Sequence, residues 1–433
     1  MVVNVNHAGF ERRLTVVQQI LHDCGLQASD ISSLAYDEEY QYPFNNFLFK
    51  VELATPAFAS SFPGTQPGTC RAPSEGVSTL VVKLSNLAAH DVNNANRIAN
   101  DVASQHLVRE SMAKGGLDPL VPYVYAWAPA TTTDEADEKG FGWIMSEFRS
   151  GVDLGPEFAS LDVESQTYVL HQMAAFLGAM QVADLPDGVT KFGGGLKFDS
   201  NGYIVDGEPP SMQDVKPASS YLEWRVGKLR SRLERAAESP IIRGWKSNGV
   251  ATRIEKFFAS GGPQKVLNTV DVHRKCLIHA DLTIYNMLFD KNAKKVTAVL
   301  DFDFASISHP FEEFISMSFS YTGGHVGDGN TAIDRAIISG DFTTPPADLG
   351  EKSAKEWEFG KMWNTALRES AAFAPSQIEG VDRIRDLMRL QSLLCLYRLS
   401  SVPAAEELDD ERRVRLREKA EAELIGWLAK HGY

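Results

Sequence analysis

Two acidic stretches separated by a hairpin carry the chemistry of this chain: His279-Ala280-Asp281-Leu282-Thr283-Ile284-Tyr285-Asn286 and, further on, Leu300-Asp301-Phe302-Asp303. An Asp and an Asn five residues apart on one irregular loop can face the same small volume, and a second Asp arriving after a hairpin can close a cage of hard oxygen ligands. Such a cage suits Mg2+ carrying the phosphates of ATP. Met287 to Phe289 and Val296 to Leu300 read as two short apolar strands joined by the turn Asp290-Lys291-Asn292-Ala293. Asn286 and Asp301 therefore lie at opposite ends of one hairpin and can meet above it.

Phosphoryl transfer asks little covalent chemistry of a protein, so positioning and charge neutralisation dominate. In that scheme Asp281 accepts the proton of an attacking hydroxyl, Asn286 and Asp301 hold the metal, and His279 braces the loop instead of reacting. The pattern H-x-D-L-x-x-x-N followed by D-F-x is specific to this chemistry. The competing reading, polar groups that only satisfy a buried loop, would suffice for a lone H-x-D.

On these residues the chain resembles the aminoglycoside phosphotransferase and choline kinase superfamily of small-molecule kinases, particularly its fungal-type phosphotransferase members. Cys276-Leu277-Ile278-His279-Ala280-Asp281 and Ala298-Val299-Leu300-Asp301-Phe302-Asp303-Phe304-Ala305 carry the likeness most strongly, and it begins near Tyr40. The resemblance implies ATP- and Mg2+-dependent phosphorylation of a hydroxyl on a small metabolite. It also implies an α+β, bilobal, protein-kinase-like fold. Residues 1–149 would form a nucleotide-binding lobe with a helical N-terminal extension, and residues 150–433 a mostly helical catalytic and substrate-binding lobe.

The elements that position these groups lie mainly upstream. A helical pattern from Phe10 to Cys24 leads to strand-like Phe47 to Leu53 and then Thr79 to Leu84. Between the strands, Ala54 to Ser78 is rich in Pro, Gly, Ser and Thr and reads as a long, exposed, mobile hairpin loop. Lys83 ends the second strand, where a kinase lobe presents the lysine that touches the α- and β-phosphates; an ordinary edge lysine is the plain alternative. Asn93 to Met112 places Ile98, Val102, Ala103 and Leu107 on one helix face. In the family this helix supplies a carboxylate that pairs with the lysine. Asp101 matches that position with a side chain one methylene shorter than the usual Glu, and Glu110 is the other candidate.

Kinase-like folds often lay a glycine-rich loop over the phosphates. Here the segment before the strand at Phe47 reads Tyr42-Pro43-Phe44-Asn45-Asn46, without glycine. Asn45 and Asn46 are left to approach the nucleotide, and Asn tolerates positive φ at modest cost. The run Gly193-Gly194-Gly195 is not followed by Lys-Ser/Thr, so it is no phosphate loop; the flanking residues read as a hairpin around Asp199-Ser200-Asn201-Gly202. After an acidic loop from Thr131 to Lys139, Trp143 to Phe148 resembles the last strand of a small lobe running into a hinge. Backbone groups of Ser146, Glu147 and Phe148 would bond the adenine edge, and the lobes divide near Ser150.

The large lobe reads as helices at Gln166 to Gln181, Tyr221 to Ala237, Lys361 to Leu367, Arg383 to Leu399 and Glu406 to His431. Trp357, Trp363 and Tyr397 fit core packing better than a pocket lining. Glu312 and Glu313 follow the metal loop where related kinases begin a helix, and they suit its N-terminal dipole better than a substrate cation.

Composition narrows the partners. The chain has 57 acidic against 43 basic side chains, and its formal charge of −14 disfavours nucleic acid and anionic lipid. That acidity suits a cationic acceptor, or solubility alone. Four scattered cysteines without C-x-x-C spacing fit a reducing cytoplasm, and neither a secretory signal nor an apolar run of about 18 residues points to export or a membrane. A protein kinase would often carry Arg where Ala280 stands, and A-P-E after Asp301. A noncatalytic binder fits the glycine-free loop but not the full set Asp281, Asn286 and Asp301.

Overall fold

The structure, a computed structural model, describes residues 6–34, 43–89, 92–132, 140–211, 215–316, 331–370, 372–400 and 408–433. Tyr40, Tyr42, residues 133–139 and Glu406 lie outside the described residues. Helix α1 (Phe10–Asp23) precedes strands β1 (Ala28–Leu34), β2 (Asn46–Ala57) and β3 (Val77–Ser85); helix α2 (Arg97–Lys114), β4 (Val124–Ala128) and β5 (Trp143–Glu147) follow. The five strands form one antiparallel sheet in the order β1-β2-β3-β5-β4.

Alternation sorts the two faces of this sheet. Phe47, Phe49, Val51 and Leu53 of β2 share one face with Leu80, Val82 and Leu84 of β3, and α1 covers that face with Val17, Ile20 and Leu21. Leu48 and Lys50 of β2 and Val81 and Lys83 of β3 take the opposite, less buried parity. Helix α2 packs Ile98 and Val102 against Val124 and Ile144 on the sheet, while its Ala103, Leu107 and Met112 belong to the core of the helical region. One helix thus belongs to both cores.

Two expectations for this region change. β1, Ala-Ser-Asp-Ile-Ser-Ser-Leu, is a polar edge strand with no buried residue, so it offers no alternating apolar signal; the glycine-free segment ending at Asn45 therefore connects β1 to β2 instead of preceding a first strand. The connection from β2 to β3 is also anchored, although much of its surface is exposed. Residues 58–76 fold back onto β4 and α2: Phe62 is 1% exposed and stacks on Tyr125 at 5.0 Å between centroids. The Cys70 N–H donates to the Val124 carbonyl (2.7 Å), Trp127 Nε1 to the Pro67 carbonyl (2.9 Å) and Arg109 to the Gly68 carbonyl (2.9 Å). Gly68 is required at its corner, since its φ is +75° and a Cβ there would come within 2.7 Å of Val102 and 2.8 Å of Phe198.

Beyond the sheet come β6 (Val152–Asp153), α3 (Leu154–Phe158), α4 (Val163–Gln181), the hairpin β7 (Leu196–Phe198) and β8 (Ile204–Asp206), α5 (Tyr221–Glu238), α6 (Val250–Ala259) and α7 (Gly262–Val266). The stretch His279 to Asn286 follows β9 (Cys276–Ile278), and the hairpin β10 (Met287–Asp290) and β11 (Lys295–Val299) joins β6 in a three-stranded sheet. β12 (Ser306–Ser308) then pairs back onto β9. Helices α8 (Phe311–Ser316), α9 (Ala332–Ser339), α10 (Glu351–Glu369), α11 (Val381–Leu394), α12 (Tyr397–Ser400) and a C-terminal helix, Asp410–Lys430, complete the helical region. The helix expected over Arg383 to Leu399 is broken at Cys395, whose φ of −150° and ψ of 87° leave the helical range. Trp357 and Trp363 are buried in the helical core as expected, whereas Tyr397 is 71% exposed. No helix among the described residues is long and apolar enough to cross a membrane.

The docking of residues 58–76 gives a direct stability test. Replacing the buried Phe62 by Ala is expected to cost about 3–5 kcal/mol, as for a core aromatic, read as a lower urea midpoint. A Phe62→Ala variant that unfolds like the parent would mean this segment is not packed on β4.

Candidate active site

Strand β9 is fully buried and delivers His279 into the core. The His279 Nε2–H donates to the Leu300 carbonyl (3.0 Å), and the ring lies 4.7 Å from that of Phe302. Burial pushes the imidazole down to about 4, so it is neutral and ties the two acidic loops together. The next residue, Ala280, has φ of 61°, a left-handed conformation that costs a non-glycine residue free energy and persists only when its surroundings impose it. Glu313 does so. Its Oε2 accepts the N–H of His279 (2.6 Å) and of Ala280 (3.4 Å), and burial pushes the carboxyl up to about 7. Its neighbour Glu312 is bound by the Tyr221 hydroxyl and the Arg225 guanidinium. Both acids do sit in the first turn of α8, yet their partners are specific buried groups rather than the helix dipole.

Further along the loop, Thr283 caps a short turn by accepting the Tyr285 N–H (3.2 Å). Asn286 Nδ2 donates to Asp281 twice, to the carbonyl at 2.9 Å and to Oδ2 at 3.0 Å. Burial raises the Asp281 carboxyl above its ordinary value, and the Asn286 amide offsets part of that. The Leu300 N–H donates to the Asn286 carbonyl at 2.8 Å. The two ends of the β10–β11 hairpin therefore meet, and Asp301 emerges beside Asn286.

Lys83 reaches all three remaining acids. Its Nζ lies 2.7 Å from Asp101, 2.7 Å from Asp303 and 3.3 Å from Asp301. Burial opposes the ammonium, but these carboxylates outweigh it and hold the group firmly protonated. Asp101 is the partner on α2, and Glu110 is exposed. The shorter side chain suffices because the buried helix sits close; Gln105 binds the second Asp101 oxygen at 2.6 Å. Asn100 ties the same helix to the loop after β11 through the Ala305 carbonyl (2.8 Å).

Asp301 and Asp303 are unlike each other. Asp303 is fully buried and held by Lys83, by Arg97 at 2.6 Å and by the Asn46 amide at 2.8 Å. Burial alone would raise its carboxyl, but the two cations keep it well below the usual range. Asp301 has φ of 63° and keeps 31% of its side chain exposed. Partial burial and the nearby Asp303 charge push its carboxyl upward, an effect that its exposure moderates. It borders a cavity of about 250 Å³ that Asn6, Arg13, Phe44 and Asn45 also line. Neither Asn45 nor Asn46 has positive φ, so that device for reaching phosphate is not used, and the Asn46 side chain is committed to Asp303 and Arg97. Arg97 escaped the sequence reading altogether; an arginine at a helix start gives no local sign that it will be buried.

On the strand next to Lys83's own, Ser146 and Glu147 lie within the β5 ladder between β3 and β4, and the Glu147 N–H is taken by the Tyr123 carbonyl (2.8 Å). Phe148 is the first residue past the strand, with the Lys50 ammonium 5.2 Å from its ring centroid. Among the described residues no group of three or more His, Cys, Asp or Glu forms a metal cluster. The donors present still fit Mg2+, which is held by one or two protein ligands together with phosphate oxygens. Asp301 offers an accessible carboxylate, and the Asn286 amide nitrogen is turned to Asp281, which leaves its carbonyl oxygen as the available donor.

The two aspartates are expected to separate in opposite readouts. Asp303→Ala should destabilise the fold by about 3–5 kcal/mol, because it leaves Arg97 and Lys83 buried with too few carboxylates. Asp301→Ala should be the milder change in urea unfolding but should abolish the effect of Mg2+ on nucleotide affinity measured by calorimetry. Equal losses of stability, or a Mg2+ effect surviving in Asp301→Ala, would show that the roles are divided wrongly.

No curated protein matches the chain in sequence. Among solved structures, the aminoglycoside phosphotransferase APH(2'')-Ib with ADP bound is 13% identical, with coverage of 96% of this chain and 98% of that one and a TM-score of 0.47. The streptomycin-ATP-APH(2'')-IIa ternary complex is 12% identical, covering 94% and 96%, with a TM-score of 0.45. The ethanolamine kinase of Plasmodium vivax is 10% identical, covering 91% and 82%, with a TM-score of 0.33. The sequence profile of the phosphotransferase enzyme family (APH) matches residues 70–347, a span that includes Lys83, Asp101, Asp281, Asn286 and Asp301. With well over half of its length matched, the chain belongs to the phosphotransferase enzyme family.

Proposed function

We propose that the chain is an ATP- and Mg2+-dependent kinase that phosphorylates a hydroxyl of a small metabolite. The observation that carries this reading is the convergence of Lys83, paired to Asp101, on Asp301, next to an Asp281 held by Asn286. Residues 1–149 then act as the nucleotide lobe and residues 150–433 as the lobe for catalysis and the acceptor.

In this scheme Lys83 binds the α- and β-phosphates, and Asp101 keeps its ammonium in place. Phe148 and the neighbouring Ser146 and Glu147 receive the adenine, while Asn45 borders the phosphates. Asp301 and Asn286 would hold Mg2+, which neutralises charge on the phosphate oxygens. Asp281 takes the proton of the acceptor hydroxyl on a carboxylate oxygen. Its raised proton affinity suits that task, and the Asn286 amide fixes its orientation.

Two features favour a small acceptor over a protein. Only residues 304–310 separate Asp303 from α8, and three of them pair with β9. A long activation segment of the kind that docks peptides has no room there. Ala280 also replaces the arginine through which many protein kinases read a phosphorylated loop. The four free cysteines suit a cytoplasmic setting.

Incubation of the purified chain with γ-labelled ATP and Mg2+ across pools of metabolites and of proteins tests the reading. Label is expected in a small-molecule pool, and labelling of proteins alone would reverse the assignment of the acceptor. Asp281→Asn should retain ATP binding and lower kcat by about 100- to 10,000-fold, the usual contribution of a general base. Turnover at the parent rate in that variant would remove Asp281 from the role.

A further inference from the structure

A glycine-rich loop reaches phosphate by bringing bare backbone close to it. The connection that ends at β2 in this chain has no glycine, and side chains hold it from several directions. The Phe44 N–H donates to Asn6 Oδ1 (2.7 Å), and the Phe44 carbonyl accepts from Asn86 Nδ2 (2.6 Å). The Asn45 carbonyl accepts from the Asn86 N–H (3.0 Å) and from Arg97 (2.6 Å). The Asn46 side-chain oxygen accepts from Arg97 at 3.0 Å, while its amide donates to Asp303 at 2.8 Å.

Arg97 is the common member of this set. Its side chain is fully buried at the first turn of α2, four residues before Asp101, and it joins the Asp303 carboxylate at 2.6 Å. Charges are also balanced through it. Lys83 and Arg97 face Asp101 and Asp303, two cations against two carboxylates, and Asp301 is the carboxylate left over. It is also the accessible one. By sharing the Asp303 carboxylate with Lys83, Arg97 leaves Asp301 as the carboxylate in excess of the buried cations.

We propose that Arg97 is a positioning residue of the nucleotide site: through Asp303, the Asn45 carbonyl and Asn46 it fixes the glycine-free lead into β2, residues 43–46, onto the loop that carries Asp301, so that affinity for the nucleotide, and not for the acceptor, depends on it. The proposal rests on the ATP-dependent reading above. It assigns to side-chain hydrogen bonds the placement that a glycine-rich loop achieves with backbone alone.

Steady-state kinetics and calorimetric titration with ATP and Mg2+ on the full chain test it. Asn46→Ala removes the side-chain link from the start of β2 to Arg97 and Asp303, keeps the Arg97 bond to the Asn45 carbonyl, and leaves the buried charges balanced. It is expected to raise the KM for ATP about tenfold, the loss of a charge-assisted hydrogen bond, with the acceptor KM unchanged. Arg97→Lys keeps the charge but not the planar fork and should give a rise of similar size; Arg97→Met should give a larger one where it folds. Folded Asn46→Ala and Arg97→Lys proteins with the parent KM for ATP would overturn the proposal. So would a parallel rise in both KM values, which marks a general structural role. A parent chain that binds no ATP would instead fail the kinase reading itself, a result distinct from a parent that binds ATP and variants that bind it equally well.

Discussion

Lys83 sits among three carboxylates, with a second cation one step away, and this buried cluster is the constraint to which the surrounding elements answer. Taking an ion out of water costs several kcal/mol, so such a cluster is tolerable only when its charged atoms have partners at short range. Here those partners come from β2, β3, α2 and the loop after β11, segments up to 257 residues apart in sequence. None of these elements can shift alone without leaving a buried charge exposed to a low-dielectric interior. Helix α2 has the least freedom, because it contributes Asp101 and Arg97 to the cluster while packing against both the sheet and the helical core. The cluster couples the sheet to the acidic loops more firmly than apolar contact, which tolerates sliding, would do.

The two acidic loops store strain that this rigidity sustains. Ala280 and Asp301 both adopt left-handed backbone, each at a cost of about 1–3 kcal/mol. The first conformation turns the loop so that the N–H groups of His279 and Ala280 meet Glu313 behind it. The second turns Asp301 toward the cavity while its neighbour Phe302 stays in the core. His279 joins the two, since its ring spans from one loop to the carbonyl of Leu300 in the other. It is neutral and buried, as the sequence suggested for a brace, and its hydrogen bond keeps the spacing of the acids independent of any ligand.

What was legible in the sequence was local. Asp281, Asn286 and Asp301 could be read because a loop, a hairpin and a second loop impose fixed spacings, and β10 and β11 lie close to where the apolar runs predicted them. Lys83 could be read from its place at the end of an alternating strand. Choosing between Asp101 and Glu110 required the helix register and the depth of packing, which no local pattern contains. β1 was lost because an edge strand with both faces partly in water needs no apolar alternation. The segment 58–76 misled for a related reason: its prolines and glycines mark turns, but whether the turns fold outward or back depends on partners far along the chain, Tyr125 for the buried Phe62 and Val124, Trp127 and Arg109 for its backbone. Arg97 and the charge on Asp303 belong to the same class. A buried ion pair is a tertiary property, and each half on its own reads as a surface residue.

The separation of the loops that carry Asp281 and Asp301 is set by a two-stranded ladder of three residue pairs. Ser306 pairs with Ile278, Ile307 with Leu277 and Ser308 with Cys276, so the strand leaving the metal loop is in register with the strand entering the catalytic loop. The Gly193–Gly194 turn clamps this ladder from the side, donating from the Gly193 N–H to the Ile307 carbonyl (2.7 Å) and accepting the Ile307 N–H at the Gly194 carbonyl (2.8 Å). A glycine is needed at the first position, since φ is +79° and a Cβ would collide with Trp224 at 1.9 Å. The triple-glycine run, which lacks the Lys-Ser/Thr of a phosphate loop, has a structural role here. It lets a backbone turn press against β12 and α5, and so holds the two acidic loops at a separation that the ladder, rather than a movable segment, determines.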